Sequence, residues 1–368
     1  MYYKKILLLF LTLILFFSTT TALASSNYQM GGDLNIGANS LFYEDISRVE
    51  IYDSINLELT NNNTAFEINA VHNFRNHDLE MTLRKAYLRK KLMGVNITAG
   101  RQPVSWGFGS LINMVDYSLG AEALDQETSA KYIDALKLDY PINWYSSLTF
   151  VKEFDPEYEY KYGLRGRTLI KNYDLSLNYI EQESSDNEMS RLGLSLKGDI
   201  SNTGVYGSFT NIDYRVKGLN GFQIHTEAYM AGADYSYFLD QGYGNRLYLQ
   251  GEYHLLEKNE GIIVLLNSLA GAGFTVPFSK IPSDDKYFEV FLSNVSYNID
   301  DFSSVGFFAL TSLEDGSTAV IPNYRNQLTN NTTLNINVSY LSGSKDQVFS
   351  GGNRLPNAVF NIELSYAF

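Results

Sequence analysis

Phe360-Asn361-Ile362-Glu363-Leu364-Ser365-Tyr366-Ala367-Phe368 closes the sequence. Every second residue is apolar or aromatic, and each residue between is polar or small. Successive side chains of a strand point to opposite faces, so this period of two predicts a strand with one oily and one wet side. Working outward, the same pattern recurs. Leu334, Ile336, Val338 and Tyr340 alternate with Asn335, Asn337 and Ser339. Tyr158, Tyr160, Tyr162 and Leu164 alternate with Glu159, Lys161, Gly163 and Arg165, and Leu192, Leu194 and Leu196 alternate with Arg191, Gly193, Ser195 and Lys197.

Alternation of this kind suits a soluble sandwich as well as a membrane barrel. Three features favour the barrel. The pattern persists after residue 24 in pieces of about ten residues, with no helical periodicity between them. Connections alternate between short Asn/Asp-rich turns and longer polar loops. The last piece is an apolar strand ending on Phe368.

Strands are predicted near 29–38, 48–60, 64–74, 79–91, 94–102, 131–140, 144–153, 158–169, 173–182, 189–199, 204–213, 225–238, 245–256, 286–299, 303–313, 318–328, 332–342 and 357–368. The expected fold class is all-β: a closed antiparallel transmembrane β-barrel of eighteen strands, or sixteen if the first strand or a weak middle pair is misread. Turns at 92–93, 141–143, 171–172, 300–301 and 329–331 fall on the rim that holds both termini. Connections 103–130, 214–224, 257–285 and 343–356 fall on the other. Short periplasmic turns and longer extracellular loops are the outer-membrane arrangement.

Composition agrees. The chain has 368 residues, 28 Tyr, 22 Phe and no Cys, which excludes a disulfide scaffold, a cysteine-ligated metal domain and a disordered chain. Residues 1–24 read as a signal peptide: Lys4 and Lys5, an apolar run from Ile6 to Phe17, then Ala22-Leu23-Ala24. Residues 25–368 would form the barrel. Loss of the two leader lysines takes the formal net charge from −13 to −15. So acidic a chain argues against nucleic acid as a partner. The tyrosines suit a girdle at the two membrane–water interfaces better than a core, with Tyr140, Trp144, Tyr235, Tyr237, Tyr297, Tyr340, Tyr366 and Phe368 near strand ends.

One stretch carries a resemblance. Leu83-Arg84-Lys85-Ala86-Tyr87 precedes Ile97-Thr98-Ala99-Gly100-Arg101-Gln102-Pro103-Val104-Ser105-Trp106-Gly107-Phe108-Gly109, which continues into Ile112-Asn113-Met114-Val115-Asp116. This resembles a motif of alginate-export-type outer-membrane porins, as does the turn Tyr297-Asn298-Ile299-Asp300-Asp301-Phe302. The sequence departs from that pattern at Lys85 and Met114. The resemblance implies an outer-membrane channel. It also implies that terminal Phe368 addresses the chain to the outer-membrane assembly machinery.

Residues on the polar parity are expected to face a water-filled lumen, because Arg or Lys on the lipid face costs about 2–4 kcal/mol near the midplane. The candidate pore-lining residues are Arg84, Glu159, Lys161, Arg165, Arg167, Arg191, Lys197, Arg246, Glu252 and Arg325. They would form either an ion-pair network or a basic stripe centred on Arg165, Arg167, Arg191 and Lys197 that attracts anions. Long loops are commonly functional, so 103–130 is expected to carry a constriction, with Arg101, Gln102, Trp106 and Asp116 as its candidate residues. Arg101 and Gln102 would pair with carboxylates across the barrel.

No catalytic, metal or cofactor motif is present: the histidines (His72, His77, His225, His254) are scattered, and no nucleophile elbow or phosphate loop occurs. The expected function is a porin-like channel in the cell outer membrane, surrounded by lipid, passing small hydrophilic solutes of anionic or saccharide type. The alternative is a non-transport barrel, adhesin or structural, with a filled lumen. Oligomeric state is left open.

Overall fold

The computed structural model describes residues 29–44, 46–61, 64–75, 78–106, 115, 117, 132–156, 158–217, 223–239, 245–257, 286–344, 347–350 and 356–368. The expected signal peptide, His77 and Asp116 lie outside the described residues.

The strands are β1 (Gln29–Phe42), β2 (Ser47–Thr60), β3 (Thr64–Arg75), β4 (Asp78–Leu92), β5 (Val95–Pro103), β6 (Tyr132–Pro141), β7 (Ser146–Glu153), β8 (Tyr158–Ile170) and β9 (Tyr173–Ser184). The second half comprises β10 (Asn187–Ile200), β11 (Thr203–Val216), β12 (Gln223–Phe238), β13 (Arg246–Glu257), β14 (Tyr287–Asn298), β15 (Ser303–Ser312), β16 (Thr318–Thr329), β17 (Thr332–Leu341) and β18 (Ala358–Ala367). Each pairs antiparallel with its sequence neighbours, and β18 returns to β1 from Asp33 opposite Ala367 to Phe42 opposite Ala358. The sheet is therefore a closed eighteen-stranded barrel, as the alternation predicts. The first strand runs on to Phe42, past the predicted end at 38.

Ladder register decides which way each side chain points. Leu177, Leu192, Leu194, Leu196, Phe307, Phe360, Ile362 and Leu364 are exposed on the outside. The residues between them, such as Ser176, Asn178, Arg191 and Ser195, are buried inside. A closed sheet with an apolar exterior is stable where that exterior meets acyl chains. At the short-turn rim, Tyr140, Trp144, Tyr237, Phe238, Phe302, Tyr366 and Phe368 are exposed, Trp144 almost completely. They form the expected periplasmic girdle.

The outer face becomes polar toward the long-loop rim. Glu181, on the same face as exposed Leu177, accepts hydrogen bonds from the hydroxyls of Tyr160 (3.1 Å), Tyr162 (2.5 Å) and Tyr179 (2.8 Å). His225 pairs with Asp213 (2.9 Å) and His72 with Asp53 (3.0 Å) on that same side. In this zone headgroups and water replace acyl chains, and the partners satisfy one another. The tyrosines are not confined to girdles: Tyr52, Tyr87 and Tyr206 turn inward and bond Glu363, Glu67 and Glu252.

Register slips displace two candidate residues. Arg84 is the extra residue where the β3–β4 ladder shifts at Asn69/Ala70, and Glu159 is the extra residue where β8–β9 shifts at Tyr158/Tyr160. Leu196→Arg, on the lipid face, is expected to lower folding stability in bilayers by about 2–4 kcal/mol. Lys197→Gln, its inward neighbour, is expected to change it far less. Urea titration of both variants in lipid vesicles checks this.

Candidate functional site

The chain leaving β5 turns inward. Trp106 and Tyr117 meet edge to face, 5.3 Å between ring centroids, and both are buried. They pack with Val104 on Ile133, Ala135, Val151 and Ile180, the inner faces of β6, β7 and β9. Two glycines make this close approach feasible. A Cβ on Gly163 would lie 2.6 Å from the Trp106 ring and 2.8 Å from Tyr117, and one on Gly193 would lie 2.3 Å from Val115 Cγ1. The Asn178 amide donates to the Val115 carbonyl (3.3 Å), and the Arg191 guanidinium donates to the Tyr117 carbonyl (2.7 Å). The described part of the loop is thus fastened to the lumen wall from β6 to β10.

Charge reinforces the docking. Lys161 pairs with Glu153 at 2.7 Å, with both side chains almost wholly buried, and its ammonium lies 4.9 Å from the Tyr117 ring centroid. Removing one partner of such a pair strands the other in low dielectric, at a cost of about 3–5 kcal/mol. Lys161 and Arg191 face inward as expected, and both contact the docked segment through Tyr117.

The other candidates divide. Arg165 points inward on the same strand as Lys161 and is half-buried. Arg167 forms a forked pair with Asp174 on β9. Lys197 is exposed inside, 5.7 Å from the Tyr206 ring centroid. Arg246 donates to Ser236 Oγ (2.6 and 3.1 Å) at the short-turn end, and Arg325 is exposed on the inner face of β16. Glu252 is fully buried, bonded by Tyr206 (2.7 Å) and Gln250 (3.0 Å), with His254 at 3.1 Å.

Other placements contradict the expectation. Arg101 does not reach across the barrel. It shares the outer face with Ala99, away from the buried inner residues Gln102 and Ile133, and pairs with Asp134 of adjacent β6 (2.6 and 3.0 Å). The reason is parity: Gln102 takes the inward position, so its neighbour cannot. Among the described residues Gln102 makes no cross-barrel pair, donating instead to wall carbonyls, Ala135 at 2.9 Å among them. Glu159, displaced by its bulge, approaches Lys217 (3.7 Å), which also holds Glu183 of the outer face (2.5 Å). Arg84, with its bulge, is outside the regular inward series.

One feature of the lumen escapes the alternation rule. Leu256, Phe288, Val290, Leu292, Phe308, Leu310, Ala319 and Ile321 face inward and are buried, packed together with Val348 and Phe349 from the β17–β18 connection. Its trace in the sequence is apolarity on both parities, as in Val290-Phe291-Leu292 and Phe307-Phe308-Ala309-Leu310. Asp315 anchors this inner layer. Its carboxylate accepts from the Ser317 N–H (2.9 Å) and hydroxyl (2.7 Å) and from the Val348 N–H (2.7 Å). Burial pushes the Asp315 pKa up, but these hydrogen bonds outweigh it and hold the group below the usual aspartate range.

No protein-family model and no curated protein sequence matches the chain. Solved structures do. OccD3 (OpdP) of Pseudomonas aeruginosa has a TM-score of 0.58 at 11% identity, covering 92% of this chain and 91% of its own. OccAB2 of Acinetobacter baumannii gives 0.56 at 8%, covering 93% and 98%. OccK11 (OpdR) of Pseudomonas aeruginosa gives 0.55 at 10%, covering 93% and 96%. At such identities the likeness is one of fold. The fold is the outer-membrane β-barrel, and its lipid-facing belt places the chain in the cell outer membrane.

Because Asp315 is held ionised, its anchoring is fully present above the ordinary aspartate pKa and is lost as pH falls through the lower folded-state value. Hydrogen-exchange protection of the Val348 amide is expected to drop over that acidic window. In Asp315→Asn it is expected to be low already at neutral pH.

Proposed function

We propose that the protein is a porin-like channel for small hydrophilic solutes, narrowed by the segment after β5. The observation that carries this reading is the seating of Trp106, Val115 and Tyr117 against Gly163 and Gly193 on the inner wall. A barrel that only needed a filled core would not require its wall to be cut back for one loop. Polar side chains line much of the remaining inner face, as a water-filled passage requires.

Between the two solute classes, the inward charges favour neutral saccharides over anions. Of the expected inward cations, Arg167 is paired with Asp174 and Lys161 with Glu153, while Arg191 is held by a loop carbonyl. Opposite charges paired on one wall cancel most of the field that would draw an anion. Phe368 is read as the address for the outer-membrane assembly machinery, and lipid as the surrounding partner.

The second reading is a non-transport barrel with a filled lumen, favoured by the apolar inner layer around Phe288, Phe308 and Phe349. Planar-bilayer recording separates the two. The channel reading expects stepwise conductance in potassium chloride with weak ion selectivity, and no conductance from correctly folded barrels overturns it. Gly193→Val and Arg191→Gln, which unseat the loop, are expected to raise the single-channel conductance.

A further inference from the structure

The wall formed by β16, β17, β18, β1 and β2 carries a row of amides among a few inward charges, Arg325, Glu363 and Glu50. On it, Asn323 is opposite Asn337, Asn337 opposite Asn361, and Asn361 opposite Asn39. Four consecutive strands therefore present an asparagine at one register position. All four side chains share the inward parity with Glu363 and Tyr52 and are partly accessible. Neighbouring strands are about 4.8 Å apart, so the row spans roughly 14 Å.

The amides are only partly used by one another. Asn361 donates to the Asn39 carbonyl oxygen (2.7 Å) and to the Tyr52 hydroxyl (2.9 Å), and it accepts from Asn337 (3.2 Å). An asparagine amide offers two donors and two acceptor sites. Asn337 thus keeps its carbonyl oxygen and one N–H, Asn39 keeps its N–H groups, and among the described residues no side chain bonds Asn323. Beside this row lies Tyr52. Gly37 has no side chain, and a Cβ there would be 2.4 Å from the Tyr52 ring, so the ring rests against the backbone of β1. Its hydroxyl reaches Glu363 on β18 (2.9 Å), which fixes the ring in that pose.

A row of uncharged donors and acceptors beside a flat aromatic face has the chemistry of a sugar. Hydroxyl groups match amides as both donors and acceptors, and the C–H face of a pyranose stacks on a ring. Two carboxylates, Glu50 opposite Asn39 and Glu363 beside Asn361, flank the row against the single cation Arg325 beside Asn323, which disfavours an anion, and an apolar solute would leave the amides unpaired. We propose that Asn323, Asn337, Asn361, Asn39 and Tyr52 form a subsite for a neutral oligosaccharide of two or three units. This rests on the channel reading and names its solute class.

The test is current blockade by maltose or maltotriose in planar bilayers, with sodium gluconate as the charged comparison. Wild-type channels are expected to show concentration-dependent block by the neutral sugars. Asn337→Ala and Tyr52→Leu are expected to raise the half-blocking concentration about 2- to 10-fold, the worth of one hydrogen bond or stacking contact. Asn337→Gln and Tyr52→Phe, which retain the amide and the ring, are expected to keep most of the block. Heat-modifiable mobility on gels confirms that each variant is folded. Conductance without sugar block in the wild type overturns the subsite and leaves the channel standing. Absent conductance overturns the channel, and calorimetry of maltotriose with the detergent-solubilised barrel then decides the subsite: binding weakened by Asn337→Ala supports it, and no binding overturns it.

Discussion

Closure of the sheet is the constraint on which everything else depends. In the hydrocarbon layer no water is available for an unpaired N–H or C=O, and each unmet group costs several kcal/mol. A strand at the edge of an open sheet would expose a whole row of them. Pairing of β18 with β1 along ten residue pairs removes both edges. Once the ring is shut, every strand has exactly two faces, one toward lipid and one toward the lumen. Each side chain's role then follows from its parity.

Parity explains the behaviour of Arg101 and Gln102 better than their residue types do. Both look like constriction residues by motif, yet adjacent positions cannot point the same way. The inward one becomes part of the wall under the loop, and the outward one forms a surface pair with Asp134. A bulge breaks the same rule for Glu159, since one extra residue re-aims a side chain. Lys161 and Arg191 keep their inward parity and are engaged there by the docked segment.

The two halves of the lumen wall use different devices. Around β6 to β10, buried charges and aromatic packing hold the incoming segment in place. From β16 to β2, a row of asparagine amides and Tyr52 face the lumen. Between them, the inner surface of β14 to β16 is apolar toward the long-loop rim, where it carries Val348 and Phe349. A uniform wet interior is what alternation predicts. The interior found is divided, because a barrel this wide has room for loops to bring their own core inside.

The strands, their number and the periplasmic girdle were legible in the sequence because period-two patterning is local: each residue's face depends only on its neighbours along the chain. The terminal strand from Phe360 to Phe368 already carried that information. What pairs with Lys161, where Arg101 points, and which glycines receive Trp106 and Val115 were not legible. These depend on register shifts and on a loop meeting strands far away in sequence. Asn39 and Asn361 show the limit most plainly. They lie near opposite ends of the chain and have no shared motif, and only the β18–β1 closure brings their amides to 2.7 Å. Amino-acid order alone determined a two-faced barrel in a membrane. Tertiary structure decided what its lumen offers a solute, because that surface is assembled across strands and not along them.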